Sequence, residues 1–365
     1  MLYLGIDQHK SQLTVNLRGE DGLVLLKRQV STQGEKVRAF FADLAQKAGP
    51  EGGFLAILEV CGMNPWLLEM LKHFGCRETV VIQPTERSKQ KTDQRDAGEL
   101  SHLLWVHRQQ FLEGKHPLGL RRVEPPTSQQ ADDRQLTALR ARLTKKRTAV
   151  LNSLHKILRK HNLEQECPTK KFQTQKVRRW LTELPLPEMD RLEVNLLLPQ
   201  WELIDSQLKT VEAKIAERAM ADERVKLLES VPGISHYSAV AIASRIGDIE
   251  RFKRADSLAN YFGLTPGCRN SGEATQRLGS ITKQGSKLVR YLLNQAVLQV
   301  LRFDGTMRNW FKRIKRRRGA KIARVAVMRR LATIFWHMLK KQQKYRYEPL
   351  IRKHEEFEAF EGEAA

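Results

Sequence analysis

The chain has 365 residues, with 64 Lys or Arg against 41 Asp or Glu, and so a formal net charge of +23. Such an excess on a chain that is 41% apolar points to a globular protein with a polyanionic partner, first of all nucleic acid, with an anionic membrane surface as the competing reading. No apolar run approaches ~20 residues, which excludes a membrane span, and the four cysteines (Cys61, Cys76, Cys167, Cys268) have no CxxC spacing, which excludes a zinc ribbon and argues against a disulfide framework.

The N-terminal stretch MLYLGIDQHK has no basic segment followed by an apolar core, so it does not read as a signal peptide. A soluble, intracellular, reduced protein is expected. Residues 2–8, 12–18 and 23–30 read as three short strands separated by turn residues, a β-meander. Residues 35–48 have helical periodicity. GFLAILEV (53–60) is a continuous apolar run ending in Glu59, as expected of a buried strand. Residues 64–75 read as a helix with Pro at its start and Gly at its end. ETVVIQ (78–83) is a further buried strand, and a helix follows from about 93. The order βββαβαβα predicts a ribonuclease-H-like α/β domain.

Residues 114–127 are rich in Pro and Gly and read as a linker. Residues 129–165 and 187–222 carry apolar residues at 3–4 spacing between dense charges, and predict two long amphipathic helices. These would form an antiparallel coiled-coil arm or a dimer interface, and Pro199 is expected to interrupt the second. From about 225 short helices alternate with Gly turns, and residues 287–302 and 320–342 read as longer helices. Residues 308–330 carry eleven Lys or Arg and no acid. The end of the chain, HEEFEAFEGEAA, is acidic and is expected to be disordered.

Four constellations carry candidate chemistry. Asp7 lies in strand YLGIDQH, on the opposite face from Ile6. Glu59 closes the fourth strand, which lies beside the first in this fold. Asp93 and Asp96 open a helix at i and i+3 and so face one side. Singly, Asp7 is a strand-end residue, and Asp93 and Asp96 are helix-start residues favoured by the dipole. Only the combination, in that order, is specific. Four converging carboxylates repel, and hard Mg²⁺ ions, which prefer oxygen ligands, relieve the repulsion. Two such ions would support phosphodiester cleavage.

The second constellation is SVPGISHYSAVAIASRIGD (230–248), a helix–Pro-Gly–helix pattern. It is a plain helical turn or a helix-hairpin-helix in which backbone N–H groups at Gly233 take a DNA phosphate. The third is residues 264–293, where Arg269, Ser271, Gly272, Arg277, Ser280, Lys283 and Ser286 crowd together as in an anion-binding nest. The fourth is KRIKRRRGAK, where Lys312, Arg313, Lys315, Arg316, Arg317 and Arg318 would make salt-sensitive phosphate contacts.

In chain order, GIDQHK, LEVCG, KTDQRDA, VPGI, YFGLTPGCRNSGE and LGSITKQGSKLVRYLL resemble the IS110-type insertion-sequence transposases, the DEDD recombinases. The resemblance spans nearly the whole chain. Its last two blocks are similar to the C-terminal transposase domain of the IS116/IS110/IS902 type. The resemblance implies a RuvC-like catalytic domain over 1–115 and linker and coiled-coil helices over 116–225. A C-terminal transposase domain over 226–345 and an acidic tail over 346–365 would follow.

It implies that Asp7, Glu59, Asp93 and Asp96 bind Mg²⁺, with Mn²⁺ as a substitute. It implies that Ser271 attacks DNA to form a transient phosphoserine link, with Ser280 and Ser286 as nearby alternatives. The partners it implies are donor and target DNA, an element-encoded noncoding guide (bridge) RNA, and further copies of the chain in a homodimer or homotetramer, with Ser271 of one subunit meeting the acids of another. It implies a cytoplasmic, nucleoid-associated prokaryotic protein with no membrane partner. The block after Glu59 departs from the pattern: it reads VCGMN where many relatives carry Thr-Gly and an aromatic. The alternative activity is a RuvC-like nuclease resolving Holliday junctions with the four carboxylates alone.

Overall fold

The computed structural model describes residues 1–62, 64–83, 93–115, 117, 120–268 and 278–347, without the side chains of 93–95, 268 and 278. The chain forms two units, Met1–Pro125 and Pro126–Ala365.

The first unit opens with β1 (Leu2–Gln8), β2 (Gln12–Arg18) and β3 (Val24–Ser31), joined as an antiparallel meander. Helix α1 (Gly34–Ala48), strand β4 (Phe54–Glu59), helix α2 (Pro65–His73) and strand β5 (Cys76–Ile82) follow, then α3 (Asp93–Val106) and the short α4 (Arg108–Leu112). The sheet order is β3-β2-β1-β4-β5, with β4 parallel to both β1 and β5. This mixed sheet is consistent with the expected RuvC-like arrangement. Alternation sorts the strands cleanly. Leu2, Leu4, Ile6, Leu13, Val15, Leu17, Ala56 and Leu58 pack with α1 and α2 on one face. Tyr3, Leu55, Ile57, Val80 and Ile82 pack on the other with Leu100, Leu104 and Phe111 of α3 and α4. Residues 121–123, read from sequence as linker, run along the free edge of β5: Val123 N–H donates to Val81 O at 2.7 Å and Arg122 pairs with Glu78 at 2.6 Å.

The described residues of the second unit form helices and one two-stranded ribbon. Helix α5 (Ser128–Lys160) starts at a capping box in which the Thr127 hydroxyl accepts from Gln130 N–H and the Gln130 side chain accepts from Thr127 N–H, satisfying two donors that a helix start would otherwise leave open. A 3₁₀ turn (Glu164–Glu166), α6 (Gln175–Glu183) and α7 (Glu188–Ala221) follow. Arg140 meets Glu212 at 2.8 Å, Arg147 meets Asp205 at 3.3 Å and Lys160 meets Asp190 at 2.8 Å, so α5 and α7 run antiparallel. Pro199 does not end α7, which continues through it. The ring faces solvent, where water can take the carbonyl it frees, while Val194, Leu198, Trp201 and Ile204 on the buried side hold both flanks. The opposite side of α7 carries Met189, Leu192, Leu196 and Leu203, each at least half exposed.

The chain continues through α8 (Glu223–Glu229), α9 (His236–Ile246), a 3₁₀ turn (Ile249–Arg251) and α10 (Ala255–Tyr261). Strands β6 (Pro266–Cys268) and β7 (Leu278–Ile281) pair antiparallel, and α11 (Lys287–Phe303) and α12 (Gly305–Lys341) complete the unit. One apolar core joins Leu154, Ile157, Trp201 and Ile215 to Val240, Ile242, Leu293, Val297, Leu331 and Phe335. No helix of the described residues is long and apolar enough to cross a membrane.

Helix α12 is broken at Gly319, which has φ 82° and ψ 165°. The two halves fold back on each other. The Arg330 guanidinium sits 4.8 Å from the centre of the Trp310 ring, and Met307 lines one cleft with Ile334 and Met338. The run Lys312–Arg318 therefore climbs one side of a helical hairpin to its tip, and all six of its cations are exposed.

Two glycines carry these architectures. A Cβ at Gly5 would lie 2.4 Å from both the Ala97 carbonyl oxygen and the Ser101 nitrogen. We expect Gly5→Ala to destabilise the first unit by about 2 kcal/mol or more through overpacking against backbone, read as a lower urea midpoint. A Cβ at Gly319 meets open space, but its backbone conformation is reserved for glycine. We expect Gly319→Ala to cost about 1–3 kcal/mol, read as a lower midpoint of thermal unfolding.

Candidate metal centre and nucleic-acid interface

Asp7 and Glu59 reach the same place by register. Ile6 is paired with Leu58, so the next residues along these parallel strands, Asp7 and Glu59, stand side by side. Asp7 continues the series Tyr3, Gly5 and Glu59 continues Leu55, Ile57. Both belong to the face covered by α3.

Helix α3 crosses that face antiparallel to β1. Trp105, near its end, donates from Nε1 to Glu20 O at 3.1 Å, beside the start of β1, where the Tyr3 hydroxyl meets Glu20. One helical stretch earlier, Ala97 and Ser101 press on Gly5. The buried Ser101 hydroxyl donates to Asn16 Oδ1 at 2.8 Å and accepts from Arg18 Nε at 3.0 Å. These contacts fix the rotation and slide of α3, and they direct its N-terminal end, with Asp93 and Asp96, towards Asp7. The N-terminal dipole there favours carboxylates.

The Asp7 side chain is 12% exposed, and the His9 ring N–H donates to its Oδ2 at 3.0 Å. Thr14, directly opposite Asp7 on β2, has a buried hydroxyl without a hydrogen-bond partner among the described residues. The strand ends are tied by Asn64, which is buried. Its Oδ1 accepts from Cys61 N–H, and its Nδ2 donates to Gln8 Oε1 at 2.8 Å and to Glu59 O at 3.2 Å. Cys61 Sγ also lies 3.6 Å from Gln8 Oε1. Sequence reading missed His9, Thr14 and Asn64. His9 and Asn64 left a trace, one inside the GIDQHK block and the other in the block where the chain departs from the family pattern.

Among the described residues no three His, Cys, Asp or Glu side chains gather closely enough to hold a metal ion, and the Asp93 side chain is outside that set. What is present suits a hard divalent cation. Two strand carboxylates stand side by side, a third lies at a helix start, and a buried hydroxyl oxygen lies beside them, all oxygen donors.

In the second unit, Ser271, Gly272, Arg269 and Arg277 lie outside the described residues, in the stretch 269–277 that joins β6 to β7. Ser286 is described and caps a helix. At the N-terminus of α11 its hydroxyl accepts from Val289 N–H at 3.3 Å. The Ser280 side chain is exposed on β7. Lys283 adopts φ 57°, and its N–H donates to Gly263 O at 3.1 Å. Gly233, between α8 and α9, has φ 87°, and its Cα side is packed on α11, where a Cβ would lie 2.7 Å from Gln299 Cβ. A packing role for Gly233 is therefore visible beside the phosphate role read from sequence. Lys312, Arg313, Lys315, Arg316, Arg317 and Arg318 stand on the hairpin of α12, all six exposed on one helix and its tip.

Two family models match the chain. A transposase model of the IS110 DEDD type covers residues 4–163, and the model for the transposase IS116/IS110/IS902 family covers residues 225–312. The transposase for insertion sequence element IS1111A from Coxiella burnetii is 28% identical over 309 residues, covering 80% of this chain and 79% of that protein. The transposase for insertion sequence element IS1328 from Yersinia enterocolitica is 21% identical over 340 residues, covering 91% and 95%. The pilin gene-inverting protein of Moraxella bovis is 29% identical over 126 residues, covering 34% and 39%. With one model over the sheet unit and α5, the other from α8 into α12, and relatives of the same kind matched over most of their length, this chain belongs to the IS110 family of insertion-sequence transposases.

Proposed function

We propose that the chain is an RNA-guided DNA recombinase that cuts and rejoins strands with a carboxylate-held divalent metal and a nucleophilic serine. The observation that carries this is the register that sets Asp7 beside Glu59 on the face towards which the acidic start of α3 is directed. Asp7, Glu59, Asp93 and Asp96 hold Mg²⁺ or Mn²⁺ in this reading. Bound there, such ions supply Lewis-acid stabilisation of charge developing on phosphoryl oxygens.

Ser271 acts as the nucleophile. Its oxygen bonds to phosphorus as the bond to one deoxyribose oxygen breaks, and that oxygen leaves as a hydroxyl after taking a proton. A hydroxyl of the incoming strand then attacks the phosphoserine and restores the serine. The capping bond of Ser286 supports Ser271 over that alternative, because a capping hydroxyl is committed to α11. His9 and Asn64 are positioning residues: one orients the Asp7 carboxyl, the other joins the strand ends that carry Asp7 and Glu59. Exposed cations on the α12 hairpin hold DNA and guide RNA by their phosphates.

In this reading the active assembly is a homodimer or homotetramer. Support comes from the outer face of α7, where Met189, Leu192, Leu196 and Leu203 are 64%, 50%, 59% and 58% exposed. Their spacing of three, four and seven residues is that of a helix-pairing seam.

Two experiments test the reading. With donor and target DNA, Mg²⁺ and the RNA transcribed beside the gene, Asp7→Asn, Glu59→Gln and Ser271→Ala should each lower recombination by about a thousandfold or more, the scale of several kcal/mol of transition-state stabilisation. A protein–DNA adduct mapped to Ser271 is expected. Cleavage by Ser271→Ala that leaves free nicked ends would instead establish the carboxylate-only nuclease. For assembly, sedimentation should show that Leu192→Lys with Leu196→Lys lowers the oligomer mass while the helical circular dichroism is kept. An unchanged mass would remove α7 from the interface.

A further inference from the structure

A cleft of about 550 Å³ lies at the open end of the α12 hairpin. Its walls are the first turn of α12, the last turns of α12 and the segment 343–347 that follows. Arg330, His337, Lys341, Lys344 and Arg346 line it together with Tyr347. Asp304, the one carboxylate among the described lining residues, is 4% exposed and already engaged: it caps α12 by accepting from Met307 N–H at 2.8 Å and accepts from the Tyr345 hydroxyl. Among the described residues Lys341, Lys344 and Arg346 have no ion pair. The cleft is therefore a strongly cationic hollow whose charge the described residues do not balance.

Its aromatic side is built with equal care for position. Tyr345 is held at both ends, by its hydroxyl on Asp304 and by its backbone N–H donating to Ser230 Oγ at 2.8 Å. The Tyr347 ring stacks on it, with centres 5.7 Å apart and planes 23° apart, yet Tyr347 remains 41% exposed. A ring backed by a fixed ring and open to solvent is a stacking platform. Arg330 is likewise held, over Trp310 at 4.8 Å.

We propose that this cleft binds a single-stranded nucleic-acid segment, with phosphates on Arg330, Lys341, Lys344 and Arg346 and a base on the Tyr347 ring. The proposal rests on the reading of the chain as an enzyme of nucleic acids. The volume falls in the range of small-ligand sites, about 300–1,000 Å³, which admits one or two nucleotides and excludes a duplex. Cations beside an aromatic face are what unpaired strands use, since every base has a face to stack. The cleft is distinct from the basic tip. Lys341 lies 22 residues beyond Gly319, so at 1.5 Å per residue the two are about 30 Å apart. One hairpin then carries two separate contact points for one polyanion.

The test is direct binding by the full chain at physiological salt. The probes are labelled oligo-dT and oligo-rU strands of about twelve nucleotides, with a mixed-sequence duplex as the third. Tyr347→Ala, which leaves the charge unchanged, should weaken single-strand binding about tenfold and leave duplex binding unchanged. Tyr347→Phe should bind as the parent protein. Lys344→Glu with Arg346→Glu should weaken single-strand binding by at least tenfold. The strand preferred, dT or rU, identifies the source of the segment, and either upholds the site. Parent-like single-strand binding by both Tyr347→Ala and the charge-reversed variant would overturn the proposal. So would equal losses for strand and duplex in Tyr347→Ala. If the parent protein bound no nucleic acid at all, the reading of the chain as a nucleic-acid enzyme would fall instead.

Discussion

A Cβ at position 5 would stand 2.4 Å from backbone atoms of α3, so β1 and α3 meet backbone against backbone. At that distance the helix can neither rotate nor slide without collision. The buried hydroxyl of Ser101, held between Asn16 and Arg18, adds direction to that steric contact. The position of the α3 N-terminus over the sheet follows from these few atoms. What the carboxylates of the first unit can do together therefore depends on a glycine that carries no chemistry.

The second unit shows the same relation between a silent core and an exposed charge. Its apolar core runs from Leu154 and Trp201 through Val240 to Phe335 and anchors both ends of the α12 hairpin, so that the tip can consist almost wholly of like charges. Six exposed cations within seven residues, Lys312 to Arg318, repel one another, and a free helix would lose stability through such pairs. Packing at the base of the hairpin, where Met307 and Val327 are buried, offsets that repulsion without neutralising it. Among the described residues no acid pairs with these cations, and their field falls with added salt.

Much of this is legible in the sequence, and the exceptions have physical reasons. The strands expected at 2–8 and 12–18 end where the observed ones do, because turn residues bound them; burial on both faces leaves β1 and β2 as mostly apolar runs. The opposite faces of Ile6 and Asp7 follow from strand alternation. Pro199 misleads because its local cost is real, yet the buried flanks of a long helix outweigh it. The sequence reading starts a helix at 320, just past Gly319, but misses the half before it and its folding back, since that contact joins side chains some twenty positions apart, Trp310 and Arg330. Asn64 matters through Gln8, 56 positions away, and Thr14 through its place opposite Asp7, relations set by strand pairing rather than by a residue pattern.

The acids of the first unit differ in how much they say. Asp93 and Asp96 have an adequate structural account, since carboxylates at a helix start are stabilised by the dipole whatever else they do. Asp7 and Glu59 have no such dipole to favour them. Neighbouring strands lie about 5 Å apart, and two carboxylates at that distance repel by about 3 kcal/mol in an effective dielectric near 20. The His9 ring N–H on Asp7 offsets part of this. A fold selected for stability alone would place an apolar or hydroxyl side chain at one of the two positions, as it does at Thr14 across the strand. The weight of the metal-centre reading therefore rests on the strand pair, and the helix pair takes its meaning from where Gly5 lets α3 lie.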